Sequence, residues 1–227
     1  MDFISGQILA FDKPYRMTSF QLVARVRNAL TRKLGQRIKV GHAGTLDPLA
    51  TGVLVICTGK ATKQIENLQT DIKEYVAELR LGQTTASYDL EHPVDNEFPT
   101  AHITAEMVED ALRGFEGDIM QVPPAFSACH AGGKRAYELA RKGHEVKLDA
   151  KPVRVDSITV EELRLPDYLR IRVVCGKGTY IRSLARDIGE ALGSGAHLLS
   201  LRRTRVGDIR VEDCLNPENF DEWLKDN

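Results

Sequence analysis

The 227-residue sequence predicts an α+β fold. Three observations carry that expectation. Strand-like and helix-like segments intermix without the regular β-α alternation of a doubly wound sheet. Residues 153–165 and 169–175 read as paired strands meeting at Pro166-Asp167. The run Val53-Leu54-Val55-Ile56-Cys57 is continuous, β-branched and apolar, as a strand buried on both faces must be.

The remaining elements follow in order. Ile8-Leu9-Ala10-Phe11 is a short buried strand that Pro14 stops. Thr18-Ser19 offers a helix cap, and Leu22, Val23, Val26, Leu30 and Leu34 recur beyond it at helical spacing. A helix begins near Gly59 and runs to about Leu68. From Lys73 to Leu81, Tyr75, Ala77, Leu79 and Leu81 alternate with Val76, Glu78 and Arg80, the pattern of a half-buried strand. Residues 82–103 read as polar and irregular. Thr104 opens a helix with Met107, Val108, Ala111, Leu112 and Phe115 turned inward. Pro123-Pro124 breaks the chain, and the basic segment 134–151 holds a short helix near 136–141. Gly176-Lys177-Gly178-Thr179 leads into a helix from Tyr180 to about Leu192. Leu198 to Val206 is a last core strand bearing Arg202, Arg203 and Arg205.

Composition excludes several classes. Cys57, Cys129, Cys175 and Cys214 form no C-x-x-C pair, and the six histidines show no H-x-x-x-H spacing. No metal site or disulfide framework is expected, and reduced thiols fit a cytoplasmic protein. The first residues lack a basic, long apolar leader, and no apolar run approaches the ~20 residues of a membrane span. Gly59-Lys60-Ala61-Thr62 and Gly176-Lys177-Gly178-Thr179 both fail the spacing of an ATPase phosphate loop.

The net charge of −1 conceals an asymmetry. Between Lys13 and Leu46 stand Lys13, Arg16, Arg25, Arg27, Arg32, Lys33, Arg37 and Lys39, with no acid. The tail from Asp208 carries seven acids against Arg210 and Lys225. A cationic face on a near-neutral protein is the footprint of a polyanion partner, although a solvated basic helix looks the same from charge alone. The first acid after that run is Asp47, in Gly41-His42-Ala43-Gly44-Thr45-Leu46-Asp47-Pro48-Leu49-Ala50-Thr51-Gly52. Asp before Pro among glycines is ordinarily a turn former.

That stretch resembles the catalytic motif of the TruB family of tRNA pseudouridine synthases, G-H-x-G-x-L-D-P-x-A-x-G. Further matches are collinear over residues 6–207: Lys13-Pro14, Gly59-x-Ala61-Thr62-Lys63, Lys73-Glu74-Tyr75 with Leu81-Gly82, the segment from Pro123 to Arg141, Lys177-Gly178-Thr179-Tyr180-Ile181-Arg182-Ser183-Leu184, and Gly195-Ala196-His197-Leu198 with Leu201-Arg202-Arg203. Phe126 and His130 depart from the pattern, standing where tyrosine and lysine are expected.

The resemblance implies a pseudouridine-synthase-like fold, a single catalytic domain with a mixed, largely antiparallel sheet flanked by helices and a thumb insertion at about 120–152. The expectation that follows is a short acidic tail at 208–227 in place of the C-terminal PUA module of many relatives. It implies isomerisation of uridine 55 in the T loop of tRNA, with the base flipped out, no cofactor, no obligate protein partner and a monomeric enzyme. Asp47 is then the nucleophile, Arg182 its cationic partner and Tyr75 the ring that stacks on the target base. His42 fills the space that flipped bases leave. Lys13, Arg25, Lys134 and Arg141 would hold phosphates, with Tyr180 and Leu198 lining the pocket. Two other readings share these features: an RNA-binding or tRNA-folding module, and a guide-dependent synthase subunit.

Overall fold

The structure is a computed structural model that describes residues 1–127, 129–131, 133–144 and 146–227, with the backbone course alone for His130, Ala131, Lys134 and Arg135. In chain order the elements are β1 (Ile8–Lys13), α1 (Ser19–Leu34), β2 (Val40–Ala43), β3 (Thr51–Thr58), a 3-10 turn (Gly59–Gln64), α2 (Ile65–Leu68), β4 (Lys73–Leu81), β5 (Gln83–Thr85) and β6 (Val94–Glu97). There follow α3 (Ala105–Arg113), β7 (Gly117–Gln121), β8 (His130–Ala131), β9 (Lys134–Arg135), α4 (Ala136–Ala140), β10 (Lys151–Arg164), β11 (Tyr168–Cys175), α5 (Ile181–Ala191), β12 (Ala196–Val206), β13 (Ile209–Arg210) and α6 (Phe220–Trp223). They divide into two units, Met1–Tyr75 with Leu201–Asn227, and Val76–Ser200.

The first unit is built on β3. One edge of β3 pairs antiparallel with β1, from Ile8 opposite Cys57 to Lys13 opposite Gly52. The other edge is shared: β2 lies antiparallel along Val55–Thr58, while Arg202 and Arg203 of β12 run parallel at Thr51 and Gly52. Both faces of β3 are covered, as its continuous apolar run requires. Leu54 and Ile56 pack with Leu22, Val26 and Leu30 of α1 and with Phe220 and Leu224 near the C-terminus. Val53 and Val55 pack against Ala43, Val206 and Val211. α1 starts where Thr18 accepts the Gln21 N–H while the Gln21 side chain accepts the Thr18 N–H, a reciprocal cap. It ends at Gly35, in the left-handed region at φ 66°.

In the second unit the strand order is β4, β11, β10, β7. β10 and β11 form the expected hairpin, with Arg164 opposite Tyr168. β7 pairs antiparallel with β10 so that Gln121 faces Lys151. The chain therefore leaves the sheet at 121 and returns beside it at 151, which makes the intervening segment an excursion from two adjacent strands. α5 buries Ile181, Leu184, Ala185 and Ile188. The pairings of β3 with β1 and β2, and of β10 with β11 and β7, are antiparallel, whereas that of β12 with β3 is parallel.

Three local readings are corrected. The stretch 82–103 contains a two-stranded pair, β5 with β6. Because β6 is exposed throughout, it carries no burial alternation to betray it. β7 was not foreseen; it has one half-buried apolar residue, Ile119, and Met120 points to solvent. Val76, assigned to the open face of β4, is buried.

Gly52 is the most constrained position near the Asp47 loop. Its φ is +103°, and a Cβ there would lie 2.1 Å from the Arg203 carbonyl oxygen. Gly52→Ala is expected to lose at least about 2 kcal/mol in urea denaturation; a loss below about 0.5 kcal/mol would contradict this packing.

Candidate active site

Asp47 lies on the loop joining β2 to β3 and is half-buried. Its carbonyl accepts the Ala50 N–H at 3.1 Å, closing a turn in which Pro48 presets the backbone. Leu46 before it and Ala50 after it are buried, so the carboxylate stands between two apolar anchors. The turn is also tied from outside. Ser19, buried at the start of α1, accepts the Leu46 N–H at 2.9 Å and donates to the Leu46 carbonyl at 2.9 Å. The Arg16 N–H donates to the Pro48 carbonyl at 2.8 Å.

Two buried cations complete the loop's surroundings. Arg203 is 1% exposed. Its Nε donates to the Val53 carbonyl at 2.7 Å and its Nη2 to the Gly44 carbonyl at 3.0 Å, so one guanidinium grips the loop on both sides of Asp47. Gly44, at φ +90°, turns the backbone over that guanidinium. Lys13 is 0% exposed, and its Nζ donates to the carbonyls of Met17 at 2.6 Å, Pro14 at 3.0 Å and Pro48 at 3.4 Å. Burial pulls its pKa down to about 8; the Asp47 carboxylate opposes that shift and Arg203 adds to it. This corrects the assignment of Lys13 to RNA phosphates, since a fully buried ammonium spent on three carbonyls is not at the surface.

His42 sits on β2, opposite Ile56, and not in the loop proper. Its Nδ1 is buried with no hydrogen-bond partner among the described residues. Burial and then Arg203 lower its pKa, which keeps the imidazole neutral at physiological pH. A neutral, partly shielded ring suits packing against bases and does not suit pairing with phosphate. Tyr75, on β4, is 9% exposed. Beside it the Glu74 carboxylate accepts from the Thr204 hydroxyl at 2.8 Å.

In the second unit Arg182 lies in the first turn of α5 and is 4% exposed. Its Nη2 donates to the Phe126 carbonyl at 2.9 Å and its Nη1 to the Ser87 carbonyl at 3.2 Å, while its Nε lies 3.8 Å from Asp89 Oδ2. Asp89 is held in turn by the Ser87 hydroxyl at 2.6 Å and the Glu91 N–H at 2.9 Å. Gln121 fixes the entry to α5, accepting the Tyr180 N–H at 2.8 Å and donating to the Tyr180 carbonyl at 3.2 Å. The Tyr180 hydroxyl is 3.3 Å from Cys129 Sγ, and burial, followed by that thiol, raises its pKa, so it stays a neutral phenol. Tyr180 and Arg182 are thus both tied to the excursion that follows β7. Leu198 is buried on β12.

The predicted phosphate contacts fare differently from one another. Arg25 is half-buried, with Nη2 3.5 Å from the Glu218 carbonyl. Arg141 is exposed, over the Tyr137 ring and 3.7 Å from Glu91. The side chains of Lys134 and His130 lie outside the described residues. Ser19, Arg203, Gln121 and Asp89 escaped the sequence reading, because each acts on residues far along the chain. Only the spacing of Arg203 within Leu201-Arg202-Arg203 hinted at a role.

Residues 31–181 match the family model "TruB family pseudouridylate synthase (N terminal domain)", and residues 182–227 match "tRNA pseudouridylate synthase B C-terminal domain". A protein named tRNA pseudouridine synthase B from Bacteroides thetaiotaomicron is 63% identical over 99% of this chain and 95% of its own length. One of the same name from Flavobacterium johnsoniae is 45% identical over 99% and 98%. Among solved structures, a Cbf5-Nop10-Gar1 complex matches with a TM-score of 0.71 at 30% identity, over 99% of this chain and 57% of that one. This chain therefore spans a little over half of that solved chain. An H/ACA RNP bound to a substrate RNA containing 2'-deoxyuridine matches with a TM-score of 0.69 at 29% identity. Fold and sequence define an isomerase of the pseudouridine synthase class. The chain belongs to the TruB family of pseudouridylate synthases.

Two predictions test the loop's supports. Ser19→Ala strands the buried Leu46 N–H and is expected to cost about 1–3 kcal/mol in denaturant unfolding. Lys13 titrates at about 8 when folded, against an ordinary 10.5. Between those values the unfolded chain binds more protons, so this group's contribution to stability rises with pH. The stability of wild type relative to Lys13→Met should therefore grow between about pH 7.5 and pH 10; a pH-independent difference would contradict the shift.

Proposed function

We propose that the chain isomerises uridine 55 in the T loop of tRNA to pseudouridine, with residues 1–227 serving as one catalytic domain whose thumb insertion spans about 120–152. The reaction breaks the bond from ribose C1′ to uracil N1 and joins C1′ to C5. The C5 proton leaves and N1 gains one, so neither an oxidant nor a group donor is consumed. Asp47 is the nucleophile, attacking ribose C1′ or the base. The observation that carries its role is the loop just described, in which Gly44, Leu46, Pro48 and Val53 are each held by hydrogen bonds and the buried Lys13 ammonium lies in the field of the Asp47 carboxylate.

Arg182 serves the reacting carboxylate as a guanidinium partner, and its own carbonyl contacts hold it in a single direction. Tyr75 stacks on the flipped uracil, and Tyr180 and Leu198 line its pocket. His42, neutral, occupies the space the base vacates; extrusion costs a few kcal/mol, which such packing offsets. Arg25, Lys134 and Arg141 contribute positive charge toward the RNA. Curated relatives that this chain matches along nearly their whole length carry the name tRNA pseudouridine synthase B, which supports tRNA as substrate. The reading takes the enzyme to be cytoplasmic and to act alone, not as a guide-dependent subunit. No helix among the described residues is long and apolar enough to cross a membrane.

Asp47→Asn is expected to abolish tritium release from C5-labelled tRNA while tRNA binding stays within about threefold of wild type. Retained turnover would remove Asp47 from the role of nucleophile.

A further inference from the structure

Apart from Arg16, whose guanidinium lies over the Tyr15 ring, the fold sorts the basic run of residues 13–39 into three groups. Lys13 is consumed by the loop. Arg25, Arg32 and Lys33 are engaged by the acidic C-terminal segment: Arg25 by the Glu218 carbonyl, Arg32 by Asp221 at 2.8 Å, Lys33 by the Leu224 carbonyl. Arg27, Arg37 and Lys39 are not so engaged. Among the described residues none of the three has an ion pair or a side-chain hydrogen bond.

These three side chains line one open concavity of about 340 Å³, between the middle of α1 and β2, with Ile38, Gly41 and Thr62. Its floor is fixed, because the Lys39 carbonyl accepts the Gly59 N–H at 2.9 Å. At its α1 side the Arg27 guanidinium lies 6.0 Å from the ring of Phe20, which is 69% exposed. Three like charges around one hollow repel one another until an anion enters. The neutral lining offers little that could read a specific ligand. The Thr62 hydroxyl is spent on the Gly59 carbonyl at 2.8 Å, Gly41 has no side chain, and Ile38, Val40 and Ile65 offer only apolar surface. An open site that recognises by charge alone fits a polyanion backbone, not an enclosed small molecule.

We propose that Arg27, Arg37 and Lys39 form a subsite for backbone phosphates of the RNA substrate, separate from the residues that handle the uridine. The proposal rests on the reading of the chain as a tRNA enzyme. It assigns the charge that Arg32 and Lys33 carry to internal pairing with the tail, not to RNA.

The test is equilibrium binding of an unmodified T-arm hairpin transcript to the Asp47→Asn protein over a salt series, read by fluorescence anisotropy. Arg27→Ala, Arg37→Ala and Lys39→Ala should each weaken binding by about 3- to 10-fold at low salt and flatten the slope of log K against log salt by about 0.7–0.9. Arg32→Ala and Lys33→Ala should leave affinity within about twofold and the slope unchanged. Unchanged slopes in the first set, or equal losses in both sets, would overturn the subsite, the latter by showing a diffuse field. Tritium release from the same hairpin by wild-type protein separates the two readings. If release is absent yet the first set still flattens the slope, the subsite stands and the T-loop assignment falls.

Discussion

One buried guanidinium organises the site. Arg203 donates to the carbonyls of Gly44 and Val53, which bracket the turn carrying Asp47, and it does so from a strand some 150 residues later in sequence. Hydrogen bonds from a charged donor each contribute about 1.5–3 kcal/mol net, and a buried guanidinium without them would be strongly unfavourable. The loop and the arginine therefore require one another. Gly44 and Gly52 follow from this arrangement, the first by curving over the guanidinium and the second by letting the Arg203 backbone lie against β3.

Lys13 adds a second cation that is likewise satisfied by carbonyls. Its depressed pKa records how unfavourable that burial is, and the Asp47 carboxylate is the group that most relieves it. Asp47 is thereby more than a turn former. Its negative charge offsets that of the buried Lys13 ammonium, so the carboxylate contributes to the loop itself. Of the rest of the basic run, Arg32 and Lys33 are held by the acidic tail, while Arg27, Arg37 and Lys39 line the open concavity. A near-neutral protein can in this way present a local cationic face to RNA.

The sequence made some of this legible and hid the rest for definite reasons. The doubly buried β3 could be read because its apolar run is unbroken, and α1 because its cap and its period coincide. The hairpin of β10 and β11 was marked by Pro166-Asp167. β6 and β7 were hidden because exposed or edge strands need no apolar alternation. In the site, Asp47 and Arg182 stood out through family resemblance, while the local chemistry of Asp-Pro gave only a turn. Lys13 was misread because surface and buried lysines look alike in sequence; only the three carbonyls that converge on it decide. Ser19, Arg203, Gln121 and Asp89 act through contacts 27 to 159 residues away or through burial, which no local pattern encodes.

On the proposed reading, the reaction asks for a carboxylate held still while a nucleotide is brought to it, and the loop's hydrogen bonds would do the holding. Amide hydrogen exchange in Arg203→Lys tests it most directly, because lysine keeps the charge but cannot span both carbonyls. The account predicts that protection of the Leu46 and Ala50 amides falls at least about tenfold, while that of Val26 and Leu30 in α1 is retained. Unchanged protection at Leu46 and Ala50 would show that the guanidinium does not hold the loop, and the account built on it would fail.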